Sequence, residues 1–237
     1  MARFFRVPAL HDAVRIATPN REETIRRLIL HLTSPSPAWT YNPVRAVAPP
    51  LLAGDLPLSA AIHACERGGP AVGKAMNVEV AKLVAAAGIG RSLRCHPLSR
   101  RYFSIRHDLQ LRIPADFYIV EAGVPVVFWL QPRKGFALDD FGRRLLASVV
   151  HHELSAEWDD FGFEMLDTSP LGPKEPRCPR TFRLADLPLL PEAEVAAVMQ
   201  QFADAFDAVR EMDIGADKDV GDRPDASDSP GPLFGDR

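Results

Sequence analysis

The stretch from residue 113 to residue 134 constrains the fold of this chain more than any other part of the sequence. Two runs rich in Val, Ile and aromatic residues flank Glu121-Ala122-Gly123-Val124, which predicts two strands joined by a tight turn. With Ala122-Gly123 as the turn and Glu121 opposite Val124, the register of the hairpin places Asp116 opposite Trp129. A change of one residue in turn length would move every side chain to the other face of the sheet, so the register decides which residues meet.

The open end of this predicted hairpin gathers polar side chains. Because side chains alternate between the two faces of a strand, Gln131 and Arg133 are expected to share a face with Asp116. Lys134 follows directly but is expected to point the other way. The sequence thus predicts a carboxylate, an amide and a guanidinium at one end of a hairpin.

The remaining sequence predicts one α/β domain with additions at both ends. Helices are expected at 58–67, 70–87, 138–153 and 191–209, and strands on either side of the 138–153 helix. We expect three segments: a helical and proline-rich N-terminal extension over 1–57, the α/β domain over 58–212, and a disordered acidic tail over 213–237. Within the extension, Thr18-Pro19 predicts a helix start, and 34–57 reads as an irregular, ordered connection that carries several prolines.

The net charge of −3 over 237 residues is unevenly distributed. From Glu211 onward there are eight acidic residues against three basic ones, which leaves 25 basic and 23 acidic residues in the first 210. A body so close to neutral is compatible with nucleic-acid binding but does not argue for it. No apolar run approaches the roughly 20 residues of a membrane span, and three widely spaced cysteines predict no disulfide framework. We expect a cytoplasmic protein with no membrane contact.

The predicted order of elements and three short motifs resemble the PD-(D/E)XK nuclease superfamily over about residues 70–168. Ile113-Pro114-Ala115-Asp116 stands where that family has its Pro-Asp, at the start of the second core strand. Gln131-Pro132-Arg133 stands where it has an acidic residue or Gln, any residue, and then Lys. Glu79 lies on the preceding helix, where many members carry a further metal-binding Glu. The resemblance implies a restriction-endonuclease-like αβββαβ core, with a mixed central sheet flanked by helices.

The same resemblance implies a Mg²⁺-dependent or Mn²⁺-dependent phosphodiesterase. Glu79, Asp116 and Gln131 would position the ion, and Arg133 or Lys134 would face the scissile phosphate. Phosphodiester hydrolysis at such a site has a physical basis: a hard cation with oxygen ligands offsets the charge of the phosphate and activates water. Arg133 keeps the charge of the usual Lys but hardly gives up a proton.

A basic sector precedes the hairpin and is the first choice for contacts with a nucleic-acid backbone. Arginines mix there with Tyr102 and Phe103, as on nucleic-acid surfaces. The residues predicted to bind nucleic acid are Arg94, Arg100, Arg101 and Arg106. Taken singly, each is also compatible with an ordinary solvated face.

Structural roles are open for every predicted site residue. Asp116 is also suited to capping a bend, Gln131-Pro132-Arg133 to a polar strand exit, and Glu79 to a solvated helix face. Gly68-Gly69-Pro70-Ala71-Val72-Gly73-Lys74 is rejected as a phosphate loop, because it lacks the preceding strand and a Ser or Thr after Lys.

Two functions therefore stand side by side. The first is a divergent metal-dependent nuclease that hydrolyses phosphodiester bonds in nucleic acid. The alternative is a catalytically inactive nuclease-fold module that binds nucleic acid or a protein partner, with residues 1–57 as the candidate surface for the latter.

Overall fold

The computed structural model describes residues 7–34, 39–135, 137–172 and 174–212. The predicted tail over 213–237 lies outside the described residues. In chain order the helices are α1 (Leu10–Ile16), α2 (Arg21–Thr33), α3 (Asn42–Leu52), α4 (Leu58–Glu66), α5 (Ala71–Gly88), α6 (Asp140–Ser155) and α7 (Glu192–Glu211). The strands are β1 (Leu93–Pro97), β2 (Tyr102–Arg106), β3 (Leu109–Arg112), β4 (Phe117–Glu121), β5 (Val124–Gln131), β6 (Gly162–Asp167) and β7 (Arg180–Arg183).

A mixed five-stranded sheet, in the order β1-β4-β5-β6-β7, lies at the centre of the fold. Neighbouring strands are antiparallel except β5 and β6, which run parallel because α6 connects them. Strands β2 and β3 form a separate two-stranded sheet. The predicted α/β class with a mixed sheet flanked by helices is confirmed.

The β4–β5 hairpin has the predicted register. Glu121 pairs with Val124 and Phe117 with Phe128. Both turn residues have positive φ, +52° at Ala122 and +85° at Gly123, which is the backbone of the tight turns that suit the twist of a hairpin. Asp116 itself precedes the first paired residue of β4.

Helices cover both faces of the sheet, since side chains of β5 alternate between two apolar clusters. Val127 and Trp129 pack with α1, α6 and α7, whereas Phe128 and Leu130 pack with α3, α4 and α5. The N-terminal extension belongs to this packing, because α1 supplies fully buried residues to the first cluster and α3 to the second. The same two helices carry Asp12 and Arg45, which lie near the end of the sheet.

Two local expectations for the extension are wrong. The helix start predicted at Thr18-Pro19 lies later: Asn20 is the N-cap of α2, and its side chain accepts a hydrogen bond from the Glu23 backbone N–H at 3.0 Å. The connection predicted over 34–57 contains the helix α3, which begins with Pro43 in its first turn and contains Pro49 and Pro50 in its last turn.

Among the described residues, none of the helices has both the length and the apolar character needed to cross a membrane.

Candidate functional site

The amino end of β4 and the carboxyl end of β5 meet at one end of the sheet, because the two strands are antiparallel. Helix α1 lies against one face there, and α3 and α5 lie against the other. Polar side chains collect here from α1, α3, α5, β3, β5, β6 and β7, from the residue before β4, and from the chain that follows β5 and β6. We call them the sheet-end cluster: Asp12, Arg15, Arg45, Glu79, Arg112, Asp116, Gln131, Arg133, Lys134, Asp167, Arg177 and Arg180.

Gln131, a predicted metal ligand, is 2% exposed and bonds to the chain that follows it. Its Oε1 accepts a hydrogen bond from the Arg133 backbone N–H at 2.9 Å, and its Nε2 donates to the Arg133 carbonyl at 3.0 Å. A second, longer contact joins Nε2 to Asp167 at 3.5 Å. The Gln131 amide thus fixes the backbone on both sides of Pro132. This is the structural role, a polar strand exit, that the sequence also allows for Gln131.

Arg133 and Lys134 reach to opposite sides of the sheet. Arg133 Nη1 lies 2.9 Å from the carboxylate of Asp12 on α1, whereas Lys134 Nζ lies 3.4 Å from Glu79 on α5. This is the divergence that strand alternation predicts for two consecutive residues. Both basic side chains therefore have an acidic partner from a helix.

Glu79, the second predicted metal ligand, is held by two cations. Besides Lys134, Arg177 contacts it with Nε 3.0 Å from the carboxylate. Arg177 is buried and donates to the Pro132 carbonyl at 2.7 Å and to the hydroxyl of Tyr41 at 2.9 Å. The guanidinium thus joins α5, the exit of β5 and the amino end of α3.

Asp116, the third predicted metal ligand, forms an ion pair with Arg112 at 2.9 Å. Its side chain is 46% exposed. It also lines a small pocket with Arg45 and with apolar residues of the α3 and α5 side: Ala48, Pro114, Phe117, Phe128 and Leu130. The charged residues that contact Asp116 or share this pocket with it are therefore arginines.

The predicted ligand set does not fit a Mg²⁺ site as arranged. Both carboxylates already have guanidinium or ammonium partners, and the oxygen of Gln131 accepts a backbone hydrogen bond. In the part of the chain that the structure describes, no group of three or more His, Cys, Asp or Glu residues could hold a metal ion. Oxygen ligands that are already paired with cations offer little to a further cation.

Arg45 is the one basic residue of this cluster that lacks a hydrogen-bond or ion-pair partner among the described residues. It is partly buried on α3, and its side chain forms no hydrogen bond or ion pair with any described residue. Burial lowers the pKa of Arg45, Asp116 raises it, and the like charges of Arg133 and Arg112 lower it further. Asp116 offsets part of the cost of desolvating this guanidinium, and a further anion that bonded to it would offset more.

On α1, His11 lies next to the cluster residue Asp12; the imidazole is uncharged and the carboxylate is negative. His11 is 7% exposed, and burial lowers its pKa to about 3 although Asp12 acts in the opposite direction. Burial would raise the pKa of Asp12, but His11 and Arg133 hold it below its ordinary value. At neutral pH, His11 therefore adds no positive charge, and Asp12 remains a carboxylate for Arg133.

Taken together, the sheet-end cluster is cationic. Its seven basic side chains stand against four carboxylates, and the bonded pairs include Arg180 with Asp167 at 2.7 Å and Arg15 with Asp12 at 4.0 Å. Such an arrangement is suited to an anion that reaches several arginines at once.

Comparisons with known protein families, with curated proteins and with solved structures found no match for this chain.

The arginines predicted for nucleic-acid contact fall into two groups. Arg94 on β1 and Arg100 before β2 are exposed. Arg101 and Arg106 have acidic partners, Glu157 at 2.5 Å and Asp207 at 2.6 Å. Of these four, Arg94 and Arg100 are thus the more exposed, and Arg101 and Arg106 are held by carboxylates.

Residues 98–101 lie beside the sheet-end cluster. The Leu98 N–H donates to the Asp116 carbonyl at 3.0 Å, and the Ile113 N–H donates to the Arg101 carbonyl at 2.9 Å. These two backbone hydrogen bonds hold the segment before β2 beside the start of β4.

The sequence analysis predicts five members of this cluster and not the other seven, among them Asp12, Arg45 and Arg177. Asp12 and Arg45 lie on α1 and α3, in the segment read as an extension, and Arg177 lies in a proline-rich loop. The spacing of Val44, Ala48 and Leu51, all buried, is the signal that predicts α3 and places Arg45 beside its buried face.

Proposed function

We propose that this protein is a catalytically inactive nuclease-fold module that binds nucleic acid through phosphate contacts at the sheet-end cluster. The observation that carries the proposal is Arg45, a partly buried guanidinium that forms no hydrogen bond or ion pair with a described residue. It lines a small pocket with Asp116, and the like charges of Arg133 and Arg112 act on it. Arginine binds phosphate, like carboxylate, through two parallel hydrogen bonds of its guanidinium group. Sequence-independent affinity for nucleic acid comes mainly from such contacts.

The order of elements supports a restriction-endonuclease-like core. Helix α5 is followed by β1, β4 and β5, then by α6 and by β6 parallel to β5, which is the αβββαβ order with β2 and β3 inserted after the first strand. A fold of this class does not by itself imply cleavage, because function depends on the side chains at the site.

Loss of cleavage follows from the pairing of the carboxylates. Asp116 is engaged by Arg112, and Glu79 by Arg177 and Lys134, so a hydrolytic metal would have to displace three cations. A phosphate that approaches Arg45 meets a guanidinium that no described carboxylate holds in an ion pair.

Binding in the presence of EDTA tests the proposal. Fluorescently labelled single-stranded and double-stranded DNA and RNA are titrated with the full chain, and intact product is checked on a gel. We expect binding without cleavage, and affinity about tenfold or more lower in Arg45→Met. Arg21→Met, which removes an exposed arginine on α2, is the matched control and should bind like wild type. Absence of binding in wild type, or equal loss in both variants, would contradict the proposal.

Metal-dependent hydrolysis is the second candidate. It is favoured by the position of Asp116 just before β4 and of Gln131 and Arg133 at the end of the neighbouring antiparallel β5, where the resembling family has its motif. The roles of Mg²⁺ or Mn²⁺ in that case would be to offset phosphate charge and to activate water.

A Mn²⁺ titration by calorimetry, with cleavage followed in parallel, separates the two functions. Saturable binding and cleavage that are both lost in Asp116→Ala would establish the enzyme and refute the inactive module. We expect neither in wild type. If nucleic acid does not bind either, the remaining alternative is that the inactive nuclease-fold module binds a protein partner.

A further inference from the structure

A separate cleft of about 320 Å³ lies on the α3, α4 and α5 side of the molecule. Its walls come from the residues before and at the start of α3, from the loop between α4 and α5, and from the first turns of α5. The lining residues are Trp39, Thr40, Pro43, Cys65, Arg67, Gly68, Gly69, Pro70, Gly73, Lys74 and Asn77. The volume falls in the range of small-molecule sites.

The cleft contains two basic side chains and no acidic one. Neither the Arg67 nor the Lys74 side chain forms a hydrogen bond or ion pair with any residue in the described ranges. Most basic side chains of the sheet-end cluster are paired with carboxylates, so this pair differs from them. The charge that this cleft complements is therefore negative.

One wall of the cleft is aromatic and held in place. Trp39 packs closely on α5: a Cβ added at Gly73 would lie 2.9 Å from the Cβ of Trp39. The indole ring of Trp39 also meets the ring of Tyr41 edge-on, with centroids 4.7 Å apart. The indole is partly exposed. A flat ring that enters the cleft thus has an aromatic surface beside the two cations.

The cleft is fixed by hydrogen bonds across its floor. Asn77 Nδ2 donates to the Thr40 carbonyl at 3.0 Å and to the Gly73 carbonyl at 2.8 Å, and the Val44 N–H donates to Asn77 Oδ1 at 3.1 Å. These bonds tie the start of α3 to α5. The two sides of the cleft therefore keep their separation without a ligand, which lowers the entropic cost of binding.

We infer that this cleft binds a mononucleotide, with the phosphate between Arg67 and Lys74 and the base against Trp39. Gly68 and Gly69, with φ of +72° and +73°, bring a loop without side chains to the edge of the cleft. A helix, not a strand, precedes this loop, so it differs from the phosphate loop of nucleotide-binding α/β proteins. Binding in this cleft does not require nucleic-acid binding at the sheet-end cluster.

Calorimetry with the full chain and AMP tests the site, with adenosine and inorganic phosphate as partial ligands. Wild type should bind AMP more tightly than either partial ligand. Lys74→Met and Arg67→Met should each weaken AMP binding by about tenfold or more, since each removes a charged hydrogen-bond donor. Lys82→Met, which changes an exposed lysine on the same helix, is the control and should leave binding unchanged.

Other variants isolate the ring contact and the second site. Trp39→Leu should weaken the binding of AMP but not that of inorganic phosphate, with far-UV circular dichroism as the check on folding. Arg45→Met should keep AMP binding even where it loses nucleic acid. No AMP binding by wild type at millimolar concentration, equal affinity for AMP and adenosine, or full binding by Lys74→Met and Arg67→Met would overturn the inference.

Discussion

At the residue scale, Arg45 and Arg177 are two guanidinium groups whose surroundings predict opposite effects on stability. Arg177 is buried and bonds to Glu79, to the Pro132 carbonyl and to the Tyr41 hydroxyl, whereas Arg45 has no partner among the described residues. Removing a buried guanidinium leaves its acceptors unpaired, but removing one without partners leaves nothing unpaired.

We therefore predict that Arg177→Met lowers the free energy of unfolding by about 3 kcal/mol. Arg45→Met should change it by less than about 1 kcal/mol. Urea denaturation of both variants checks this. A large loss of stability in Arg45→Met would show that Arg45 has a structural role, and would remove the main support for an anion site.

His11 gives a prediction for the dependence of stability on pH. Burial lowers its pKa from 6.5 to about 3, and the ring packs beside Trp129 with centroids 5.6 Å apart. Between these two values the unfolded chain binds a proton that the folded chain does not, so the free energy of unfolding falls as the pH falls below 6.5. Above pH 6.5 this contribution is constant.

The expected loss from His11 between pH 6.5 and pH 5 is about 2 kcal/mol. His11→Phe keeps a ring beside Trp129 but cannot take up the proton, so the slope of stability against pH should be smaller in the variant. Denaturant unfolding at pH 7.5, 6.5, 5.5 and 5 measures both slopes. Equal slopes in the two proteins would contradict the assignment of a buried neutral imidazole.

At the element scale, the hairpin of β4 and β5 is the part of the fold that the sequence predicts best. The Ala122-Gly123 turn is a local signal, and the strand residues on both sides follow from it by simple pairing. The direction of Arg133 and Lys134 to opposite sides follows from the same rule. Local backbone chemistry is enough for these features.

The strain at Ala122 makes the turn testable. Its φ of +52° is costly for a residue with a Cβ, so Ala122→Gly should raise the free energy of unfolding by about 1 kcal/mol. Ala46→Gly, at an exposed position inside α3, is the opposite case and should lower it by about 0.5 to 1 kcal/mol. Thermal unfolding of both variants gives the sign of each change in stability. A change of the same sign in both would contradict a strained backbone at Ala122.

Helix α3 shows where sequence patterns fail. Three prolines within Asn42–Leu52 point away from a helix, yet Pro43 lies in the first turn, and Pro49 and Pro50 lie in the last one. The buried stripe of Val44, Ala48 and Leu51 packs against α5 and overrides the low propensity. Tertiary packing of this kind is not visible in a local window, so Arg45 was missed.

At the scale of the whole molecule, the sequence predicts the α/β class and the mixed sheet but not the partners of the site residues. The predicted site residues come from the ends of two strands, but their partners come from distant segments. Asp12 reaches Arg133 over 121 residues, and Arg45 lines a pocket with Asp116 over 71 residues. Arg177 reaches the Pro132 carbonyl over 45 residues. Charge pairing over such separations depends on how the helices cover the sheet. This pairing places basic side chains beside the carboxylates that the sequence predicts as metal ligands.

The dependence of nucleic-acid affinity on salt tests the central claim most directly. Fluorescence anisotropy with a labelled oligonucleotide in EDTA gives the dissociation constant between 50 and 200 mM salt for wild type, Arg45→Met and Arg21→Met. We predict metal-free binding that weakens with salt, and a double-logarithmic slope smaller by about one in Arg45→Met only. No binding without a metal, or the same affinity and slope in wild type and Arg45→Met, would contradict a phosphate site built around Arg45.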